Sequence, residues 1–234
     1  MEPILVYGFP KGSSMGLVAA FEWLGNPYRL CRVDMLGEMR DAAYARINPR
    51  HETPVLIDEG GRILTETMAI AAWLEARDTD RRISFDPRSP EADRMRQFSA
   101  FVNTGFTAAF TPLWAALEME PADPALQAIL RSWGTDRVIE RHDKLEAMIG
   151  DAPYLLGDHP TLADGIFAGV ARWRDYHDVA EPSRWPKIAA LRRRIEADPA
   201  IVFATALEDG QDPPGSGACL GHVALDDVIR RYGE

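Results

Sequence analysis

The sequence predicts a small α/β domain followed by an all-α domain that forms a helical bundle. Strand and helix patterns alternate up to residue 77, whereas the patterns beyond residue 90 are long and helical. A polar, turn-rich stretch that contains Asp86-Pro87-Arg88-Ser89-Pro90 separates the two regions. We therefore place the α/β domain at residues 1–79, a linker at 80–90, and the helical domain at 91–234 with a C-terminal extension at 210–234.

Apolar spacing and turn residues set the order of elements in the α/β domain. A run of strand formers ends at Pro10-Lys11-Gly12, and apolar residues at helical spacing follow until Gly25-Asn26-Pro27 stops them. The pair Gly60-Gly61 between two short apolar runs predicts a β-hairpin. The predicted order is strand 3–9, helix 13–24, strand 28–34, short helix 39–47, strand 53–58, strand 62–65 and helix 66–77.

Helical periodicity dominates the second domain. Thr161 and Asp164 fit a capping box, in which the Asp164 carboxylate accepts a hydrogen bond from the backbone N–H of Thr161. Pro112 lies inside the first long pattern, where it removes a backbone donor and predicts a bend. The predicted helices are 91–118, 124–149, 161–177, 184–197 and 199–208.

Composition excludes several classes of protein. Of the 234 residues 46% are hydrophobic and 26% are charged, which is typical of globular domains. The net charge of −10 opposes binding to nucleic acid or to an anionic membrane. No apolar run approaches the roughly 20 residues that span a bilayer, and no secretion signal is evident, so we expect a cytoplasmic protein. Cys31 and Cys219 lie far apart, which predicts neither a disulfide framework nor a metal site.

Four segments, at residues 7–14, 48–56, 66–70 and 157–164, resemble the glutathione S-transferase family in their order and separation. The resemblance covers residues 3–208 and is to bacterial, serine-type members or an unassigned class. It implies a thioredoxin-like N-terminal domain, a helical-bundle C-terminal domain and glutathione as co-substrate. The implied activity is transfer of glutathione to a small hydrophobic electrophile, a reaction of detoxification. The implied assembly is a homodimer. Related isomerase, dehalogenase or peroxidase chemistry stays open, as does a catalytically silent binding or regulatory protein.

The resemblance implies a glutathione site built on two short motifs. Thr53-Pro54 opens the third predicted strand, and because proline cannot donate to a ladder this edge stays free. In the family the bond is cis, and the residue before proline binds the cysteinyl unit of glutathione through its backbone. Glu66-Thr67 matches the family's Glu-Ser pair, which binds the γ-glutamyl ammonium and carboxylate at a helix start. The alternative for this second motif is an ordinary helix N-terminus capped by Thr65.

One position departs from the family. Many members have Lys or Gln two residues before the cis-proline, where it binds the glycyl carboxylate of glutathione, but this chain has Glu52, which repels that group. We expect Lys11, Arg50 or His51 to compensate. The implied glutathione-binding residues are Thr53, Pro54, Val55, Glu66, Thr67, Lys11 and His51.

The reaction requires glutathione as its thiolate. A free thiol has a pKa of about 8.5, and lowering it by two units takes about 2.7 kcal/mol. A hydrogen bond to a charged group supplies about 1.5–3 kcal/mol and a helix start about 0.3–1, so one hydroxyl at a helix start is enough. Ser13 is our first choice for this hydroxyl, with Ser14 beside it, and Tyr7 is the competitor because some classes of the family use a tyrosine at the end of the first strand. The alternative is that the two serines only cap the N-terminus of the helix.

The second substrate is expected between the Ser13 region and the first helix of the second domain. Phe106, Phe110 and Trp114 recur every four residues there, and Phe9 ends the first strand. We take these four aromatic residues as candidate lining of the electrophile site. An aromatic stripe at helical spacing is also typical of a protein core.

The C-terminal extension is predicted to fold back onto the protein. Residues 210–217 form a flexible connector with Pro213-Pro214, and an amphipathic pattern at 225–232 has an apolar stripe to bury. A helix this short needs a docking surface. One candidate surface is the cleft between the domains, where Cys219 or His222 would approach bound glutathione, and the other is an outer helix or the dimer partner.

Overall fold

Five strands form one mixed sheet in the computed structural model, which describes residues 1–233. The central strand, β1, pairs in parallel with β2 and antiparallel with β3, and β3 and β4 form the predicted hairpin. The fifth strand lies parallel to β2 at the far edge, which gives the order β4-β3-β1-β2-β5. The strands are β1 Ile4–Phe9, β2 Tyr28–Asp34, β3 Val55–Ile57, β4 Ile63–Thr65 and β5 Cys219–His222.

The helices follow the predicted order with three differences. The predicted short helix at 39–47 consists of two single 3-10 turns, Glu38–Arg40 and Tyr44–Arg46. The predicted helix at 91–118 is interrupted by a π-helical segment, Phe101–Phe106, and Pro112 lies in the first turn of a new helix. The pattern at 161–177 divides at Arg172 into two helices. The helices are α1 Met15–Leu24, α2 Thr67–Arg77, α3 Pro90–Ala100, α4 Thr111–Leu117, α5 Pro124–Met148, α6 Leu162–Ala171, α7 Trp173–Tyr176, α8 Pro186–Glu196, α9 Pro199–Glu208 and α10 Leu225–Tyr232.

The two domains meet where glycines on α1 and α6 bring the helix backbones together. A Cβ atom added to Gly16 would lie 1.8 Å from the carbonyl oxygen of Gly165, and one on Gly169 would lie 2.1 Å from that of Ser13. Because no side chain fits at these positions, α6 packs directly against α1 and the loop before it. This contact fixes the start of α1, which carries the serine candidates, against the helical domain. No helix within residues 1–233 has the length and apolarity needed to cross a bilayer.

The predicted capping box is present at the start of α6. One oxygen of the Asp164 carboxylate accepts the backbone N–H of Thr161 at 2.8 Å, and the other accepts that of Leu155 at 2.9 Å. Asp164 is fully buried, and this burial raises its pKa to about 6. The carboxylate therefore joins the loop before α6 to the helix itself.

The C-terminal extension completes the α/β domain, which corrects its assignment to the helical domain. Strand β5 adds to the open edge of β2, and α10 covers the sheet face that lies opposite α1. Val228 and Ile229 of α10 are buried there against a cluster that includes Val33 and Tyr44. The prediction that the extension folds back is confirmed, but its site is neither the cleft between domains nor an outer helix.

Candidate active site

A cavity of about 520 Å³ lies between the loop that precedes α1 and the helical domain. Its polar side is formed by Lys11, Ser13, Arg40, Glu52, Thr53 and Glu118. Its apolar side is formed by Met35, Leu36, Met39, Trp114, Leu117, Trp173 and Tyr176. A second cavity, of about 470 Å³, lies among α6, α8 and α9, and shares only Lys11 with the first. Because Ser13 and Thr53 both line the first cavity, we place the candidate site there.

Ser13 and Ser14 have different surroundings. Ser13 is half-buried, and its hydroxyl has no hydrogen-bond partner among residues 1–233, so it is available to a ligand in the cavity. The Ser14 hydroxyl is fully buried and accepts the backbone N–H of Gly8 at 3.0 Å. Neither hydroxyl caps α1, which begins at Met15. The structure therefore corrects the expectation for Ser14, whose oxygen is held inside the fold.

Tyr7 does not line the cavity, which corrects the expectation that it competes with Ser13 for the thiol. Its hydroxyl lies 3.3 Å from the carbonyl oxygen of Leu207 at the end of α9 and 3.0 Å from Nε2 of His222 on β5. The side chain is fully buried, and burial raises the pKa of Tyr7 above its ordinary value. A neutral, hydrogen-bonded phenol on this side of the sheet joins β1 to α9 and β5. His222 thus contacts Tyr7 and does not approach the cavity.

The peptide bond between Thr53 and Pro54 is cis, as the resemblance implies. Thr53 lines the cavity, and its hydroxyl oxygen lies 3.7 Å from the sulfur of Met35. Pro54 and Val55 are buried, and the side chain of Val55 belongs to the core under the sheet. Since Val55 pairs with Thr65, the register places the cis-proline motif beside the Glu66-Thr67 motif at the same end of the hairpin.

An ion network joins the two motifs. The Arg50 guanidinium contacts the Glu52 carboxylate at 3.0 Å, that of Glu66 at 2.5 Å and the Thr65 hydroxyl at 3.0 Å. Glu66 precedes α2 with a φ of 77°, and its side chain caps no backbone N–H of that helix. The Thr67 hydroxyl has no partner among residues 1–233, and because no side chain caps α2 the backbone N–H groups of its first turn are free as well. The alternative, a cap by Thr65, is absent among residues 1–233: its hydroxyl accepts from Arg50 and from no backbone N–H of α2.

The remaining two glutathione-site candidates are placed differently. Lys11 lines the cavity, with its Nζ 6.0 Å from the centre of the Tyr176 ring. His51 does not line the cavity, and its Nδ1–H donates to the carbonyl oxygen of Met39 at 2.7 Å. The structure therefore brings Lys11 into the site and makes His51 a support for the 3-10 turn that carries Met39.

Only one of the four aromatic candidates lines the cavity. Trp114 does so, whereas Phe106 and Phe110 are fully buried against each other, with ring centres 6.0 Å apart. The Phe9 ring stacks under the Arg32 guanidinium at 3.3 Å. These placements correct the expectation for Phe9, Phe106 and Phe110.

Two aromatic residues of the cavity were missed in the sequence. Tyr176 stacks on Trp114 with ring centres 5.3 Å apart, and Trp173 meets Trp114 edge-on at 5.4 Å. Both missed residues lie on α7, three positions apart and so on one helix face. The spacing Trp173-x-x-Tyr176 was the available signal.

Comparisons with known proteins identify the family of both domains. The model of the glutathione S-transferase N-terminal domain matches residues 14–77, and that of the C-terminal domain matches residues 135–199. The glutathione S-transferase GstA of Escherichia coli O157:H7 is 24% identical over 186 residues, which cover 79% of this chain and 88% of that protein. A maleylacetoacetate isomerase of Pseudomonas aeruginosa is 28% identical over 203 residues, which cover 81% and 89%.

The fold is also similar to that of solved structures. A glutathione transferase homolog from Sulfitobacter, solved with bound glutathione, aligns with a TM-score of 0.76 at 24% identity. The alignment covers 89% of this chain and 98% of that one. At this identity the likeness concerns the fold, including both domains.

Proposed function

The chain belongs to the glutathione S-transferase family, and from this premise we propose that it binds glutathione, lowers the pKa of the glutathione thiol and transfers the thiolate to a small hydrophobic electrophile. The observation that carries the proposal is the unpartnered Ser13 hydroxyl, which shares a cavity with Thr53 next to a cis-proline. A thiol held by the Thr53 backbone would lie within the space that this hydroxyl faces. One hydrogen bond to the thiolate supplies about 1.5–3 kcal/mol, most of the roughly 2.7 needed for two pKa units.

We assign the γ-glutamyl end of glutathione to the start of α2. The Glu66 carboxylate is exposed and can accept the ammonium group, while the Thr67 hydroxyl and the free N–H groups of the first turn can donate to the carboxylate. Glu52, which opposes an anionic ligand, is neutralised by Arg50 at 3.0 Å. Of Lys11, Arg50 and His51, we therefore assign Arg50 as the residue that compensates the charge of Glu52.

The second substrate is proposed to lie against the apolar side of the cavity. Trp114, Trp173 and Tyr176 form a continuous aromatic wall there, and Met35 and Leu117 add flexible apolar surface. The formal charges on the polar side balance, two cations against two carboxylates, and Arg40 lies 3.9 Å from Glu118. A neutral electrophile with an apolar body suits this lining.

A second candidate reaction is glutathione-dependent isomerisation of an anionic substrate. It is favoured by Lys11, which lines the cavity and has no ion-pair partner among residues 1–233, and which could bind a carboxylate. The relative named as a maleylacetoacetate isomerase is consistent with this chemistry.

We also propose a homodimer. Leu126, Ile129 and Trp133 of α5 expose 44%, 64% and 54% of their surface and recur on one helix face. An apolar stripe of this kind on a soluble fold is a common mark of an interface. Sedimentation of the wild type and of Trp133→Arg tests it, since a dimer that becomes monomeric in the variant is expected and a monomeric wild type opposes it.

The proposed function is tested by retention on immobilised glutathione followed by a conjugation assay with chlorodinitrobenzene. Retention with conjugation is the expected result. Retention without turnover of several electrophiles would favour the catalytically silent binding protein. Absence of both retention and turnover would remove the proposal.

A further inference from the structure

The loop that carries Ser13 is held from behind by the helical domain. The Arg172 guanidinium, at the end of α6, donates to the carbonyl oxygen of Gly12 at 2.9 Å. The indole N–H of Trp173 donates to the carbonyl oxygen of Lys11 at 2.8 Å. The Glu208 carboxylate, at the end of α9, accepts the backbone N–H of Lys11. Three backbone groups in the two residues before Ser13 are therefore bound by side chains from more than 150 positions away in the sequence.

Arg172 and Glu208 also bind each other. Nη2 of Arg172 lies 2.5 Å from Oε2 of Glu208, and the two side chains are only 16% and 4% exposed. The carbonyl oxygen of Glu208 accepts from Nη2 of Arg32 on β2 at 2.8 Å, which fixes the end of α9 to the sheet. Because both charges are buried, removing either one leaves the other without an opposite charge. The pair is thus anchored to α6 and to the sheet, and it binds the loop at two backbone groups.

The loop needs this support because its conformation is unfavourable. Lys11 has a φ of 58°, in the left-handed region that residues with a Cβ atom seldom adopt. A Cβ atom on Gly12 would lie 2.2 Å from the carbonyl oxygen of Gly8, so the loop passes against the end of β1. Without contacts to Lys11 and Gly12, the chain before Ser13 is free to relax.

We propose that Arg172 and Glu208 are positioning residues that hold the Ser13 hydroxyl where it meets the glutathione thiol. They touch neither the thiol nor the hydroxyl and act through the backbone of Lys11 and Gly12. A displacement of well under 1 Å is enough to weaken a hydrogen bond to the thiolate. This inference rests on the proposed function, in which Ser13 is the thiolate partner.

The alternative is that the pair only joins the two domains, and the chain offers a matched control for it. Arg96 of α3 and Glu75 of α2 form another ion pair across the domains, with a nitrogen to oxygen distance of 2.6 Å. Neither residue lines the cavity or contacts the loop. Loss of this control pair removes a domain contact without changing the position of Ser13.

The experiment compares Glu208→Ala, Glu208→Gln, Arg172→Ala and Glu75→Ala. The thiol pKa is read from the ultraviolet absorbance of thiolate in the complex with glutathione, below the melting temperature of each variant. Hydrogen exchange of the peptide spanning residues 9–15 is measured in the free protein. Glu208→Gln keeps an oxygen for the Lys11 N–H and is the milder variant if Glu208→Ala does not fold.

We expect Glu208→Ala and Arg172→Ala to raise the thiol pKa by about one unit, to lower kcat about tenfold and to accelerate exchange of the loop. Glu208→Gln should show a smaller rise, and Glu75→Ala should lose thermal stability with an unchanged thiol pKa. Unchanged thiol pKa and loop exchange in the Arg172 and Glu208 variants would overturn the inference. If the wild type does not bind glutathione, the proposed function fails, and loop exchange alone then decides whether the pair holds the loop.

Discussion

Nη2 of Arg50 lies 2.5 Å from Oε1 of Glu66, so the carboxylate assigned to the ammonium of glutathione already has a cationic partner from the same chain. The same guanidinium neutralises Glu52. Arg50 therefore both orients Glu66 and offsets the negative charge at the edge of the site.

A double-mutant cycle between Arg50 and Glu52 tests this relationship. Arg50→Ala should weaken glutathione binding about five- to tenfold, because the Glu52 carboxylate is then uncompensated beside an anionic ligand and Glu66 is no longer oriented. Glu52→Ala alone should bind at least as well as the wild type, and the double variant should regain most of the loss. Calorimetric titration measures all four. Tighter binding by Arg50→Ala would show instead that Arg50 competes with the ammonium group.

Glu66→Ala and Thr67→Ala should each weaken glutathione binding by about 1–3 kcal/mol, because each removes a charge-assisted partner of the γ-glutamyl group. Glu91→Ala is the control, since Glu91 is an exposed acid in the first turn of α3, whereas Glu66 directly precedes α2. Its affinity should equal that of the wild type. Unchanged affinity in both site variants would place the γ-glutamyl group elsewhere.

Ser13→Ala should raise the pKa of the glutathione thiol in the complex, because the thiolate loses its hydrogen-bond donor. Tyr7→Phe should leave that pKa unchanged and lower the free energy of unfolding by about 1–2 kcal/mol, since the hydroxyl binds Leu207 and His222 inside the fold. Ultraviolet titration and urea unfolding separate the two effects. A thiol pKa that moves only in Tyr7→Phe would reverse the assignment.

His142 should make the protein less stable in acid. Burial lowers its pKa to about 4, against an ordinary value of 6.5, so the unfolded chain takes up a proton at a higher pH than the folded one. The stability from neutral His142 is therefore complete above pH 6.5 and is lost as the pH falls towards 4, by up to about 3 kcal/mol.

The variant His142→Phe tests this dependence. The imidazole is packed between Phe106 and Trp185, with Asp143 next to it in the chain and the cations Arg174 and Arg192 nearby, so an uncharged ring of similar shape is the closest replacement. The difference in free energy of unfolding between wild type and variant should change between pH 7 and pH 4. A difference that stays constant over this range would contradict the assignment.

The extension should contribute stability and leave substrate binding unchanged. Val228→Ala should lower the free energy of unfolding by about 2 kcal/mol, because this fully buried side chain packs under the sheet. Truncation after Asp209 should cost much more, since it uncovers that face and the edge of β2. Neither change should alter the Michaelis constant of the electrophile. A higher Michaelis constant in Val228→Ala would indicate that the extension reaches the active site.

Local patterns were enough to predict the order of strands and helices in the first 77 residues, because periodicity and the turn signals of proline and glycine act within a few residues. The cis bond before Pro54 was instead implied by the family resemblance. The contacts of the Tyr7 side chain could not be predicted from local patterns. Alternation on β1 places it on one face of the sheet with Leu5, but its partners at Leu207 and His222 are about 200 positions away.

The positions of the aromatic candidates were not predictable from the sequence either. Phe106, Phe110 and Trp114 would share a face only on one unbroken helix, and the chain leaves α-helical geometry between Phe101 and Thr111. The break turns Trp114 towards the cavity and leaves the two phenylalanines in the core. A π-helical segment has no simple sequence signal, so the phase of the helix could not be predicted.

The docking of β5 and α10 has a consequence for biosynthesis. The α/β domain includes residues 219–232, which leave the ribosome after the whole helical domain has been made. Its sheet therefore cannot be finished before the helical domain has been made, and the edge of β2 stays unpaired until then. Folding of the two domains is interleaved in time, so the ordinary order in which an N-terminal domain folds first does not apply to this chain.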